Sequence, residues 1–212
     1  SPLERFVAAF YENLATRKFN DIEKAIILRK LLGYDVQKEQ ILASFMPLLY
    51  LPSHEGTLKL YLKLLDLEEN VQKALAREEI SMNVAKAFVG MEIGAREILF
   101  AWINLLALNF NQQIKFIEYV RDISIKENAA FSKVLSEESV LEIAENPRLN
   151  KPQKAKAVLE FLRVKRFPRL ARAQHAVESV LSSVSMPTEA SIHYDPYLES
   201  PYYRLEIKFT HG

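Results

Sequence analysis

The stretch NDIEKAIILRKLLGYDVQKEQILASFMPLLYLPSHEGTLKLYLKLLDLEENVQKALAREEI, Asn20–Ile80, decides the fold. Asn20 stands three residues before Glu23, the spacing of an N-cap with a back-bonding glutamate. Ile22, Ala25, Ile26, Arg29 and Leu32 follow at helical spacing, and Gly33 ends the run. Gln37 to Phe45 fits a second short helix, with Ile41, Leu42 and Phe45 on one face. Met46 to Pro52 reads as an apolar connection. Pro52-Ser53 then opens a third helix carrying Leu58, Tyr61, Leu62 and Leu65. Short helices in this order build a helix-turn-helix, whose last helix can enter a DNA major groove.

Outward from this stretch the pattern stays helical. Leu3 to Asn13 presents Phe6, Phe10 and Leu14 on one side. Ser81 to Phe88, Arg96 to Leu108 and Asn111 to Asp122 continue it, punctuated by Gly90, Gly94 and Asn109–Asn111. Ser136 is expected to start another helix, with Glu137 and Glu138 suited to its positive end, and Asn146-Pro147 to stop it. Gln153 to Val164 and Arg169 to Ser183 follow, opened by Pro152 and Pro168. Six of the nine prolines lie from Pro147 onward, so the chain changes character there. Ser191 to Tyr194 suits a strand. Tyr203, Leu205, Ile207 and Phe209 alternate with polar residues, which predicts a half-buried strand. The fold class is therefore mainly α: a helical domain containing a helix-turn-helix, with a small C-terminal α+β dimerisation unit. The divisions expected are 1–18, 19–128, 129–185 and 186–212.

Several words of the sequence resemble ParB-type DNA partition proteins. Glu12-Asn13-Leu14, Phe19 to Ala25 and Leu28 to Leu32 are similar to that family's entry into its central domain. Leu62 to Gln72 and Glu79-Ile80-Ser81 resemble words further along it. Together these cover about a third of the chain. Arg204 to Phe209 resembles the strand of the family's C-terminal dimerisation domain. Where the family has a Gly-His-Ala-Arg run, this chain has Asn83-Val84-Ala85-Lys86. Of the family's cytidine-nucleotide domain, only the edge at Glu12–Leu14 is represented. The resemblance implies a cytoplasmic, nucleoid-associated homodimer that binds duplex DNA and meets a partition ATPase. It implies DNA contacts from Ser53, His54, Thr57, Lys59, Lys63 and Lys86.

Charge adds a second candidate surface. The 212 residues carry a net charge of +1, yet Arg148 to Arg172 holds nine basic residues against Glu160 alone. That segment is +8 and the remainder −7. Concentrated positive charge suits a polyanion. Lys151, Lys154, Lys156, Arg163, Lys165, Arg166, Arg169 and Arg172 are its candidate phosphate contacts. Tyr203, Leu205, Ile207 and Phe209 are the candidate dimerisation face.

Other chemistry finds little footing. There is no cysteine, so neither a disulfide nor a thiolate nucleophile is available. His54, His175, His193 and His211 stand at no metal-ligand spacing. No phosphate-cradling glycine loop occurs. Glu68-Glu69 and Glu137-Glu138 are adjacent, so on a helix they point about 100° apart, away from shared acid-base work. No catalytic residue, metal or cofactor is expected in this stretch, and no secretory signal is read at its start. Ile98 to Phe110 falls short of the about 20 residues needed to span a bilayer, and no membrane partner is expected. The competing reading is a helical scaffold that keeps this architecture but binds protein, with Leu48–Leu51 as its contact surface.

Overall fold

The computed structural model describes residues 1–195 and 197–209. His211 and Pro196 of the final loop lie outside them. The chain is mainly helical, with one two-stranded antiparallel sheet near its C-terminus. It divides into two units, Ser1–Ile117 and Glu118 onward.

The first unit contains α1 (Pro2–Thr16), α2 (Asp21–Gly33), α3 (Lys38–Gln40), a π-helical turn (Ile41–Phe45), α4 (Met46–Leu48), α5 (Glu55–Leu64), α6 (Glu69–Ala76), α7 (Met82–Val89) and α8 (Ile93–Leu106). α9 (Phe110–Glu127) begins here and ends in the second unit. Asn20 caps α2 as its sequence predicts. Its carboxamide oxygen accepts the Glu23 N–H at 2.9 Å, and the Glu23 carboxylate accepts the Asn20 N–H at 2.9 Å. The buried stripe is Ile22, Ala25, Leu28 and Leu31, joined by Ile27. Ile26 and Arg29, expected on that face, are exposed, and Leu32 is half-buried. α2 is apolar around much of its circumference, so its neighbours α5 and α6 choose the face.

The expected single helix from Gln37 to Phe45 is instead α3, the π turn and α4. Pro47 supplies the reason: it has no N–H, and its ring crowds the carbonyl four residues back. The wider turn, in which Met46 N–H reaches Ile41 O, relieves that crowding. Met46–Leu48 is therefore helical rather than connection. The next turn closes by Leu51 N–H to Met46 O at 2.9 Å, with Tyr50 in the left-handed region at φ 57°. Leu49 and Leu51 turn inward, so Leu48–Leu51 is not the exposed apolar surface expected of a scaffold. Tyr50 alone projects, 87% exposed. α5 begins at Glu55 with His54 as an N-cap that makes no side-chain bond, so Ser53 does not cap it. Gly94 lies inside α8 rather than at its boundary. The Gln113 side-chain amide donates to Glu79 O at 2.9 Å and to Leu108 O at 2.8 Å, fastening two turns that each pass through a left-handed residue, Glu78 and Ala107.

The second unit holds the end of α9, α10 (Phe131–Leu135), α11 (Glu138–Glu145), α12 (Lys151–Arg166), α13 (Pro168–Ser183), β1 (Ala190–Tyr194) and β2 (Tyr203–Ile207). Ser136 ends α10 rather than starting a helix; Glu137 precedes α11. α12 buries Ala155, Val158 and Leu162 and packs on α11. α13 buries no residue. In the hairpin, Ala190, Ile192 and Tyr194 stand opposite Ile207, Leu205 and Tyr203, giving one apolar face. The expected half-burial of this strand fails within one chain. Leu205 is 58% and Ile207 48% exposed, and Phe209 lies beyond the strand at 82%. α13 approaches closely enough to line an open 430 Å³ cleft with Ile192 and Tyr203, but it does not close over the sheet.

Candidate nucleic-acid interface

α5 is amphipathic, and its inner side fixes its outer side. Leu58, Tyr61 and Leu64 are buried against neighbours that include α2 and α7. The Tyr61 hydroxyl donates to Asp21 Oδ1 at 2.8 Å, tying α5 to the first turn of α2. Burial, with the Asp21 carboxylate second, pushes the Tyr61 phenol well above its ordinary pKa. Lys24 shares the same carboxylate at 3.2 Å.

Ser53 and His54, just before α5, are exposed, as are Lys59 and Lys63 on its outer side, and Thr57 is half-buried. Lys86 is exposed on α7, which packs on α5. Glu55 is the discordant group, an acid in the first turn of the helix expected from sequence to meet phosphate. It is screened from two sides, by Lys38 at 2.6 Å and Lys59 at 3.7 Å. The Lys38 hydrogen bond holds its carboxyl below the usual range. Lys38 is absent from the sequence-based set of contacts, because α3 reaches Glu55 only through the fold. Lys63 makes no ion pair among the described residues.

The basic segment separates into unlike parts. Near the C-terminal end of α12, Arg163 chelates Glu160 at 2.7 and 2.8 Å and reaches Gln174 at 2.8 Å. That pairing with Arg163 lowers the Glu160 carboxyl. Lys165 bonds Glu137 and lies 3.1 Å from Glu127. Burial would lower the Lys165 ammonium, but the two carboxylates outweigh it and raise it. Arg166 meets Asp122 at 2.5 Å and stacks over Tyr119 and Phe167. Lys165 and Arg166 tie α12 to α9 and to the residue that precedes α11, while Arg163 pairs within α12 and reaches α13. The +8 count of the sequence overstates the charge on offer, because acids distant in the chain come to meet it. Arg169 is exposed. Arg172 is exposed too, but its Nε donates to Pro168 O, and it shares a cleft with Glu160 and Glu178. Lys151 and Lys156 are exposed, Lys154 is half-buried, and none of the three has an ion pair among the described residues.

Tyr203, Leu205 and Ile207 share one face of the hairpin, Phe209 follows the strand, and all four are left uncovered. Among the described residues, no three potential metal ligands converge, and no helix is long and apolar enough to cross a membrane. Comparison with family models, curated proteins and solved structures finds no match for this chain.

Proposed function

We propose that this chain is a ParB-type duplex-DNA-binding protein that acts as a homodimer beside the nucleoid and meets a partition ATPase. One observation carries the reading: α5 is anchored by Leu58, Tyr61 and Leu64 and turns Lys59 and Lys63 outward, with Ser53 and His54 exposed at its entry. That is the disposition a groove-entering helix needs. The exposed apolar face of the hairpin supports the dimer. A two-stranded hairpin is marginal alone, and its free edge invites pairing. Two copies meeting at that edge give a four-stranded sheet, with α13, which ends at Ser183, covering its apolar face.

The test is a titration of fluorescent duplex at several salt concentrations. Lys59→Ala with Lys63→Ala weakens binding and lowers the salt slope by about 0.9 for each phosphate that is no longer neutralised. Unchanged affinity and slope exclude α5. For the dimer, deleting Pro187 to Gly212 leaves a folded chain that light scattering reads as a monomer; a truncated chain that stays dimeric rejects the hairpin interface. Glu55 in the first turn of α5 favours a second reading, a protein-binding scaffold. Absence of any salt-dependent duplex binding by the full chain decides for it.

A further inference from the structure

We infer that phosphate contact by the basic segment belongs to the junction of α11 and α12, through Arg148, Lys151, Lys154 and Lys156, and not to the arginine-rich end of α12. The inference rests on the duplex-binding reading above and divides its basic surface into two devices.

The division follows from where each cation's counter-charge lies. A phosphate must displace whatever carboxylate already holds a cation, so a cation that is closely paired and mostly covered gains little from DNA. Arg163, Lys165 and Arg166 are held by Glu160, by Glu127 with Glu137, and by Asp122. Each is also only partly exposed, at 20–28% of its side chain. Taking them to a phosphate would break ion pairs and uncover the packing of α12 on α9.

The other end of α12 is different in kind. Four cations lie within nine residues, Arg148 to Lys156, with no acid among them in sequence. None has a carboxylate within 4 Å among the described residues; Lys156 feels Glu160 only at longer range. Arg148, Lys151 and Lys156 are exposed, so their flexible stems can follow a backbone without unfolding anything. The turn that presents them is itself fixed. Asn146 Oδ1 accepts the Arg148 N–H at 2.9 Å, and Asn150 with Gln153 forms a reciprocal cap at 3.0 and 2.9 Å. None of these fixing groups is a cation, so the patch is spare to the fold. Arg169, at the start of α13, stands beyond the 16 residues of α12, which span about 24 Å. Arg172 is exposed one turn along α13, but its Nε donates to Pro168 O and it shares a cleft with Glu160 and Glu178, so no group of four comparable cations forms there.

The test uses the full chain, a nonspecific fluorescent duplex and a salt titration, with thermal melting by circular dichroism in parallel. One variant joins Arg148→Gln, Lys151→Gln, Lys154→Gln and Lys156→Gln. The other joins Lys165→Met and Arg166→Met. The first is expected to melt like the parent and to give up about 0.9 of salt slope for each phosphate it ceases to neutralise. The second is expected to melt earlier and keep its slope when assayed below its transition. If the four-residue variant melts early, the pair Arg148→Gln with Lys151→Gln is scored in its place. An unchanged slope in the first variant overturns the inference while duplex binding stands, as does a slope reduced only in the second. A parent chain without salt-dependent binding overturns the duplex reading and this inference with it.

Discussion

α5 and β2 carry the same kind of signal and meet opposite fates. Both alternate apolar and polar residues at the period of their own backbone. α5 buries Leu58 to 2% and Leu64 completely, whereas β2 leaves Leu205 and Ile207 about half exposed. The difference lies not in the pattern of either element but in what stands opposite. α2, with Leu28 and Leu31 wholly buried, belongs to a core that covers α5. α13 stands beside the hairpin and buries nothing of its own. Periodicity therefore tells which face wants cover, and only tertiary structure tells whether the chain supplies it.

The largest effect expected from this contrast comes from truncating matched leucines. Leu64→Ala should cost about 3 kcal/mol in denaturant unfolding, because it opens a cavity in a closed core. Leu205→Ala, at a concentration low enough to keep the chain monomeric, should cost under about 1 kcal/mol, since its side chain already meets water. Equal losses would mean that the hairpin is covered within the monomer after all.

The clamp at the end of α12 comes next. Arg166→Ala removes the Asp122 pair and the stacking on Tyr119 and Phe167. A loss of about 1–2 kcal/mol is expected, seen as faster hydrogen exchange along the last turns of α12. Exchange that stays at parent rates would make the clamp ornamental. Tyr61→Phe is smaller, about 1 kcal/mol in unfolding, for one bond to a carboxylate that keeps Lys24. A neutral result would show that burial of the ring alone seats α5.

Much of the local structure is legible in the sequence. The Asn20–Glu23 cap, the helix beginning near Ser81, the proline start of α13 and both strands follow from near neighbours in the chain. The π turn is not, because it depends on how a proline is accommodated rather than on whether one is present. The buried face of α2 departs from expectation because a helix that is apolar around much of its circumference has no single preferred side until it is packed. The candidate surface is legible only as a composition. Lys165 and Glu137, or Arg166 and Asp122, are separated by one or more helices, and no spacing rule relates them. Lys38 meets Glu55 for the same reason.

The smallest effect tests whether the hairpin's loop depends on the missing cover at all. Asp195 accepts N–H bonds from Tyr197 at 3.0 Å, Glu199 at 3.0 Å and Ser200 at 3.1 Å. Those bonds, the one from Tyr197 foremost, hold its carboxyl below its ordinary pKa. Because the folded value is depressed, the loop's contribution is complete above the ordinary carboxylate value, about 3.9. It fades as the pH falls from there through the folded value, since the open loop takes up the proton first. Amide shifts of Tyr197, Glu199 and Ser200, followed from about pH 5 to about pH 2, should move together through that acid window. Asp195→Asn should abolish the transition. If the three amides instead change with protein concentration at fixed pH, the loop is ordered by a second copy, and the hairpin is no more self-sufficient in its turn than in its face.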